Sequence, residues 1–382
     1  MNILFIASSA DWHIDLWVKY FTKDHKVYLF SDKEDYLKEQ PYENVTIIHS
    51  NGLLGGLLNA IKFSSHRLFQ LNKFLSVGYF ARQVEKLCQQ YHIDIIHAHS
   101  LYYGWVAGKV KPGVPVVFTP MGSDVILQAQ SSPIYRMMAK SAFARADVIT
   151  GDSVLLQNKG YNVGARKERN YVIQNGVDSK IFYPRQTALR QKYGVADDEL
   201  LLFSPRAITD LYNIDVIMEA VARIKASGIK VKCMFSYAFG GEYLDGLKRQ
   251  IERLDIGDNV IWLGFLTYPE MALHYNAGEI IISVPSSDSS PKSVYEAMFC
   301  RKPIIVSDLP WSYEHLADAN CLHRVPARDA DAISQGVQQM VTDPEYRKTL
   351  AENAYKFAFR FYDYDNNMKA MEDIMLVTLK TG

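Results

Sequence analysis

One segment of the chain combines a phosphate-binding pattern with two carboxylates. Residues 285–296, PSSDSSPKSVYE, follow a short apolar run that is typical of a buried strand. Ser290 is a favourable N-cap and Pro291 a favourable first helical residue, so the sequence predicts a helix that starts inside this segment. The first backbone N–H groups of that helix, at Lys292 and Ser293, and the Lys292 ammonium would together bind a phosphate.

The two carboxylates of the segment suit hydroxyl groups better than phosphates. Asp288 lies just before the predicted helix, and Glu296 lies about one and a half turns into it. A carboxylate accepts two well-directed hydrogen bonds from a vicinal diol, as in a sugar or a ribose. Two alternatives stay open: an ordinary capped helix with two surface acids, and a Lys292 that is only a solvated first-turn lysine.

Five further side chains are candidates because each closely follows a predicted strand. Arg206 could grip a diphosphate with its planar fork of donors. His13 and His99 are candidate catalytic groups, although a lone histidine is more often a structural residue. Asp11 and Asp124 are either loop caps or carboxylates that accept hydrogen bonds from the hydroxyls of an incoming sugar.

Two series of βα units must position these residues. Short β-branched runs alternate with amphipathic segments, which is typical of mostly parallel sheets, and the pattern restarts after the polar stretch 182–198. We therefore expect an α/β protein with two Rossmann-like domains facing across a cleft, with ligands at the carboxyl ends of the strands. No G-x-G-x-x-G follows a strand, which argues against a dehydrogenase. The predicted strands are Asn2–Ala7, Val27–Phe30, Val45–Ile48, Ile93–His97, Val114–Thr119, Val148–Thr150, Tyr171–Ile173, Leu200–Ser204, Val231–Tyr237, Val260–Leu263, Ile280–Val284 and Pro303–Val306.

The domain boundaries follow from the same pattern. Residues 1–183 form the first domain in this prediction, and residues 184–360 form the second. Residues 361–382 are expected to cross back to the first domain as a closing amphipathic helix. The aromatic patch of residues 357–362 would then bury its rings against the first domain.

Composition excludes several classes of protein. The 382 residues contain 42 Lys and Arg and 42 Asp and Glu, so no global charge excess indicates a nucleic-acid partner. The four cysteines are far apart and form no zinc-binding pattern, which favours a reducing compartment. No stretch resembles a signal peptide or a spanning helix, so we expect a cytoplasmic protein.

The chain resembles the family-4 retaining glycosyltransferases of the GT-B fold. In that family two glutamates with seven residues between them bracket the site, and Asp288 and Glu296 have that spacing with Asp in the first place. Further landmarks match in family order: DIIHAH at 94–99, TPMGSDV at 119–125, VIQNGVD at 172–178 and DPE at 343–345. Two positions depart from the family, because Leu211 and Tyr212 lie where a lysine is usual, and Met121 lies where a histidine is usual.

The resemblance implies transfer of a sugar from a nucleotide-diphosphate sugar, with a UDP-sugar as the expected donor, to a glycan, a lipid-linked molecule or another cell-surface acceptor. It implies retention of the anomeric configuration, no metal and no separate cofactor. Asp288, Glu296, Arg206, Lys292, Ser290 and Ser293 would then contact the donor, and Asp11, His13 and Asp124 the acceptor, with His99 and His13 near the reacting atoms. The rival hypotheses are a nucleotide-sugar epimerase or hydrolase of the same fold and a two-lobed solute-binding protein.

One stretch of the first domain is positively charged, although the chain as a whole has no net charge. Residues 44–84 contain no acid, and cations are interleaved with apolar residues throughout 57–82. Such a stretch predicts peripheral contact with the inner face of a membrane through anionic lipids. An ordinary helix that packs on the first sheet and leaves its cations in water explains the pattern equally well.

Overall fold

The fold consists of two compact units. The computed structural model describes residues 1–8, 12–32, 44–52, 66–236, 241–314, 316 and 319–381. One unit comprises Met1–Asn175 with Asn366–Gly382, and the other comprises Gly176–Asp365. The sequence predicted that the chain enters the second domain after residue 183 and returns to the first at residue 361. In the structure the chain enters the second unit after Asn175 and returns to the first unit after Asp365.

The first unit is built on a parallel sheet of seven strands within the described residues. Its strand order is β3-β2-β1-β4-β5-β6-β7. The strands are β1 (Asn2–Ile6), β2 (Lys26–Ser31), β3 (Val45–His49), β4 (Ile95–His99), β5 (Val116–Thr119), β6 (Val148–Gly151) and β7 (Asn170–Val172). The helices of this unit that precede β7 are α1 (Trp12–Phe21), α2 (His66–Gln90), α3 (Ser100–Ala107), α4 (Ala129–Ser131), α5 (Pro133–Arg145) and α6 (Val154–Tyr161), with a π-helical turn at Asp124–Gln128.

Helices cover both faces of this sheet. Phe80 of α2 contacts Phe30 of β2, with ring centroids 5.7 Å apart. Phe21 of α1 contacts Phe5 of β1 on the opposite face, with ring centroids 6.0 Å apart. Burial on both faces explains why these strands read as continuous apolar runs rather than as alternating patterns.

The second unit repeats this architecture with six described strands in the order β10-β9-β8-β11-β12-β13. The strands are β8 (Leu200–Ser204), β9 (Val231–Ser236), β10 (Val260–Gly264), β11 (Ile280–Ser283), β12 (Ile304–Ser307) and β13 (His323–Val325). The helices are α7 (Leu189–Lys192), α8 (Ile214–Ala226), α9 (Glu242–Leu254), α10 (Tyr268–Ala277), α11 (Lys292–Phe299), α12 (Trp311–Glu314), α13 (Ala330–Thr342) and α14 (Pro344–Phe361), followed by α15 (Tyr364–Thr381), which continues into the first unit.

The prediction of two Rossmann-like domains is confirmed. Each predicted strand is present with ends within two residues of the expected ones. β13 was missed, because its three residues, His-Arg-Val, carry no apolar run that could distinguish a strand from a loop.

The Asn175-Gly176 pair lies where the chain changes unit. Gly176 has φ +66°, and a Cβ there would lie 2.6 Å from the Tyr364 Cα. Val177 donates its N–H to the Tyr362 carbonyl at 2.8 Å, and Tyr364 donates to the Val177 carbonyl at 3.1 Å. A residue with a side chain would clash with the returning chain, so only glycine fits this crossing.

The prediction for the aromatic patch was wrong. Tyr362 stacks on Tyr295 with ring centroids 3.7 Å apart, and Phe359 contacts Phe299 at 4.8 Å. Both partners belong to α11, so the patch packs inside the second unit. The return to the first unit uses methionines of α15 instead: Met368, Met371 and Met375 are fully buried.

Candidate active site

The candidate site of the second unit lies where the strand order reverses. β8 pairs with β11 in parallel. The strand order continues from β8 to β9 and β10 on one side of this pair, and from β11 to β12 and β13 on the other side. Arg206 follows β8, and residues 285–291 follow β11. Open α/β sheets bind their ligands at the carboxyl ends of the strands at such a reversal. The topology therefore brings the predicted arginine and the predicted helix start to one edge of the sheet.

Arg206 uses its two terminal nitrogens on two different partners. Nη2 donates to Asp288 Oδ2 at 2.8 Å, and Nη1 donates to Ser293 Oγ at 2.9 Å. The guanidinium also lies over the Tyr212 ring, 4.1 Å from its centroid. Both charged side chains are largely buried, with 11% of Arg206 and 15% of Asp288 exposed. Asp288 therefore pairs with the arginine in this structure, and Tyr212, at the position of the usual family lysine, covers the arginine.

Glu296 is a buried carboxylate inside α11. It accepts a hydrogen bond from the Tyr275 hydroxyl at 2.9 Å, and Tyr275 itself is fully buried. Burial raises the pKa of Glu296 to about 7, against the opposing effects of Lys292, the Tyr275 hydroxyl and Arg206. The group can thus change its protonation state near neutral pH.

Lys292 is not the solvated lysine of the alternative interpretation. Its ammonium nitrogen has almost no solvent-accessible area and lies 5.0 Å from the centroid of the Tyr268 ring. Burial lowers the pKa of Lys292 to about 8, while Glu296 and Asp178 favour its charged form. Shielded from water, the cation would attract an entering anion more strongly than a surface lysine would.

The start of α11 differs from the prediction by one residue. The helix begins at Lys292, and Pro291 takes the N-cap position with no side-chain cap. Ser290 was expected to cap the helix, but its hydroxyl donates to the Tyr295 hydroxyl at 3.3 Å. Pro291 at N-cap accepts the first helical bonds through its carbonyl, from the N–H groups of Val294 and Tyr295. The first N–H groups of α11 still point out of the helix, as any helix start requires.

Asn213 and Arg328, which the sequence did not indicate, connect the loops of this site by hydrogen bonds. Asn213, in a left-handed conformation with φ +51°, donates to the Val284 carbonyl at 2.8 Å. Its side-chain oxygen accepts from Arg328 Nη1 at 2.7 Å and from the Ser286 hydroxyl at 3.1 Å. The loop after β8 is thereby fixed to the loop after β11. An Asn followed by an apolar helix was the only available signal, and it is too common to single out this residue.

Two first-unit candidates, His99 and Asp124, contact other residues of the first unit. His99, the last residue of β4, is 3% exposed, and its ring lies 4.1 Å from His97 and 5.3 Å from Trp17. Asp124 accepts backbone N–H bonds from Leu101, Met121 and Val125 at 2.8, 3.2 and 2.8 Å. These bonds join the first turn of α3 to the turn at residues 121–125, so the loop-cap alternative describes Asp124. Burial raises the pKa of Asp124, and the backbone hydrogen bonds to its carboxylate partly oppose this shift.

The remaining predicted positions lie partly or wholly outside the described residues. Asp11 is outside them, and for His13 only the backbone, within α1, is described. In the membrane-contact segment 57–82, the described part starts at His66 with the backbone of α2, and side chains are described from Asn72 onward. Across the described chain, no helix is long and apolar enough to cross a membrane. The same residues contain no group of three or more His, Cys, Asp or Glu that could hold a metal ion.

Two family models match the chain, one in each half. Residues 11–180 match the model described as Glycosyltransferase Family 4. Residues 185–357, which contain all the site residues of the second unit, match the model described as Glycosyl transferases group 1. The chain belongs to this glycosyltransferase family. The glycosyltransferase has the GT-B fold, with its two Rossmann-like domains corresponding to the two models.

Similar proteins support this assignment. The alpha-monoglucosyldiacylglycerol synthase of Streptococcus pneumoniae is 25% identical in an alignment of 300 positions that covers 73% of this glycosyltransferase and 66%, just under two thirds, of the relative. A D-inositol 3-phosphate glycosyltransferase of Kribbella flavida is 23% identical in an alignment of 312 positions that covers 74% of this chain and 72% of the relative. Among solved structures, sucrose-phosphate synthase from Thermosynechococcus elongatus superposes with a TM-score of 0.82 at 17% identity, covering 100% of both chains. Anabaena HepE in complex with UDP-glucose gives a TM-score of 0.78 at 20% identity, again over 100% of both chains.

Proposed function

We propose that this glycosyltransferase moves a sugar from a UDP-sugar to a glycan, a lipid-linked molecule or another cell-surface acceptor at the inner face of the membrane in the cytoplasm. The observation that supports the donor most is the set Arg206, Lys292 and Glu296 at the strand reversal of the second unit. Two cations and a helix start suit a diphosphate, and a buried carboxylate suits ribose hydroxyls. The solved structure of Anabaena HepE with UDP-glucose supports uracil as the base.

Donor binding would exchange the partners of Arg206. In the present structure its guanidinium is held by Asp288 and Ser293. An entering diphosphate competes with Asp288 for the same fork, because phosphate oxygens match the bidentate geometry of arginine. Once displaced, the Asp288 carboxylate is available to accept hydrogen bonds from hydroxyls of the donor sugar.

For the chemical step we propose the retaining course that the family resemblance implies. The bond between the anomeric carbon and the diphosphate oxygen breaks, and a bond from the same carbon to the acceptor oxygen forms. The proton of the acceptor hydroxyl passes to a phosphate oxygen of the donor on the face where the leaving group departs, which retains the configuration. Arg206, Lys292 and the first turn of α11 stabilise the charge that develops on the leaving diphosphate. On this account the reaction needs no metal ion.

Product analysis tests the proposal directly. We expect UDP release from a UDP-sugar only when an acceptor from a panel of glycans and lipid-linked saccharides is present. NMR of the product should show the same anomeric configuration as in the donor. A changed or freed sugar in the absence of any acceptor would instead identify an epimerase or a hydrolase. Binding of a sugar without chemistry would favour a solute-binding protein.

A further inference from the structure

A groove on the first unit overlaps the C-terminal part of the segment 57–82, for which the sequence predicts membrane contact, so the inference drawn from it rests on the membrane location in the proposed function. It has a volume of about 730 Å³ and runs along the outer face of α2 beside the end of α3. One part of its lining is apolar: Phe74, Val77, Gly78, Ala81 and Trp105. Phe74 is 47% exposed, and its ring centroid lies 5.1 Å from that of Trp105. Because Gly78 and Ala81 are small, this part is a trough with an aromatic wall.

The other part of the lining is cationic. Arg82 and Lys86 of α2 and Lys109 and Lys111 after α3 are exposed side chains at the groove. Glu85 also lines it, but one of its carboxylate oxygens accepts the backbone N–H of Lys111 at 2.9 Å. Four cations against one acid give the groove a positive end next to its apolar trough.

The surrounding sequence has the same bias. Between Asn44 and Ala146 the chain has ten Lys and Arg and three acids, although the whole chain has 42 of each. Of those acids, Asp124 is used for capping backbone N–H groups. The positive charge is therefore concentrated in the part of the first unit that contains the groove.

We propose that this groove binds an anionic phospholipid of a bilayer surface, with an acyl chain in the trough and the headgroup on the cations. A ligand that is apolar at one end and anionic at the other matches both parts of the lining. The volume lies in the range of about 300–1,000 Å³ that is usual for small-molecule sites. The groove thereby attaches the first unit to an anionic membrane surface, independently of donor binding by the second unit.

Co-sedimentation of the full chain with vesicles tests the charge requirement. We expect binding to equimolar phosphatidylglycerol and phosphatidylcholine vesicles, and little binding to phosphatidylcholine alone. The double variant Arg82→Glu/Lys86→Glu should weaken binding at least about tenfold, because each cation near an anionic surface contributes roughly a factor of five. The matched control is Lys19→Glu/Lys23→Glu, which makes the same change of charge at exposed residues of α1 and the turn after it, on the opposite face of the sheet. Equal loss in both variants would overturn the proposal, since it would show a response to net charge alone.

A second variant tests the trough itself. A Cβ at Gly78 would meet nothing within 4 Å, so Gly78→Leu fills the trough without disturbing the helix, and leucine favours helix more than glycine does. We expect at least a fivefold loss of vesicle binding. Gly246→Leu, at a helical glycine of α9 whose Cβ would approach only the end of Arg249, at 4.0 Å, is the control and should bind as the wild type does. Unchanged or stronger binding of Gly78→Leu would overturn the proposal, because added apolar surface strengthens adsorption to a bilayer when no groove is involved. The proposal would also be contradicted if an acidic peptide displaced vesicles from the wild type as effectively as it displaces them from Gly78→Leu.

Discussion

Removing the Tyr275 hydroxyl should move the pH dependence of the glycosyltransferase. In the proposed function the ionised Glu296 carboxylate accepts hydrogen bonds from the ribose, and burial raises its pKa to about 7. Activity on the donor therefore falls as the pH decreases through about 7. The Tyr275 hydroxyl opposes this shift, because it donates to Glu296 Oε2 at 2.9 Å and stabilises the charged form.

The size of the effect follows from the strength of that bond. A hydrogen bond to a charged group contributes about 1.5–3 kcal/mol, and 1.36 kcal/mol corresponds to one pKa unit. Arg206 and Lys292 still favour the ionised carboxylate in Tyr275→Phe, so we expect the low end, an upward shift of about one unit. At pH 7 the ionised fraction of Glu296 then falls roughly fivefold, and kcat/KM for the donor should fall with it.

The assay is kcat/KM for the UDP-sugar between pH 5.5 and 9, an interval chosen to span roughly both pKa values. The acid limb should move up by about one unit in Tyr275→Phe. Tyr193→Phe is the control, because it removes a hydroxyl that is hydrogen-bonded to His274 Nε2 at 2.8 Å, away from Glu296. An acid limb at the wild-type position in Tyr275→Phe would refute the role given to this pair.

Three further predictions concern the site and the chain end. Glu296→Gln should lower turnover of the donor at least about tenfold in a steady-state assay, because a neutral amide accepts ribose hydroxyls less strongly than a carboxylate does; wild-type turnover would show that the donor lies elsewhere. Activity should survive excess chelator, since cations and a helix start neutralise the diphosphate; loss with chelator and rescue by manganese would contradict this. A chain that ends at Asp365 should lose transfer but still bind UDP by calorimetry, because it lacks the α15 methionines that complete the first unit while the second unit is intact; full transfer activity would contradict the requirement for the first unit.

The sequence predicted the backbone of the fold well because its signal is local. β-branched runs such as 280–284 are apolar throughout, which follows from burial on both faces of a parallel sheet. The spacing of Asp288 and Glu296 likewise predicted that both carboxylates lie near the start of α11, because eight residues of chain fix where they lie relative to that start.

Contacts between distant parts of the chain could not be predicted in the same way. Tyr275 lies 21 residues before Glu296, and no pattern in α10 distinguishes its hydroxyl from that of any core tyrosine. The pairing of Arg206 with Asp288 depends on two strands becoming neighbours, which periodicity does not specify. The aromatic patch was assigned to the wrong unit for the same reason: burial could be predicted from the rings, but their partner could not.

Titration of UDP into the wild type and into Arg206→Ala by isothermal calorimetry tests whether Arg206 binds the donor diphosphate. We expect UDP to bind the wild type and to bind Arg206→Ala at least about tenfold more weakly, because the variant loses a contact worth more than about 1.4 kcal/mol. Failure of the wild type to bind UDP, or equal affinity in the two proteins, would contradict the placement of the donor diphosphate at the carboxyl edge of the second sheet.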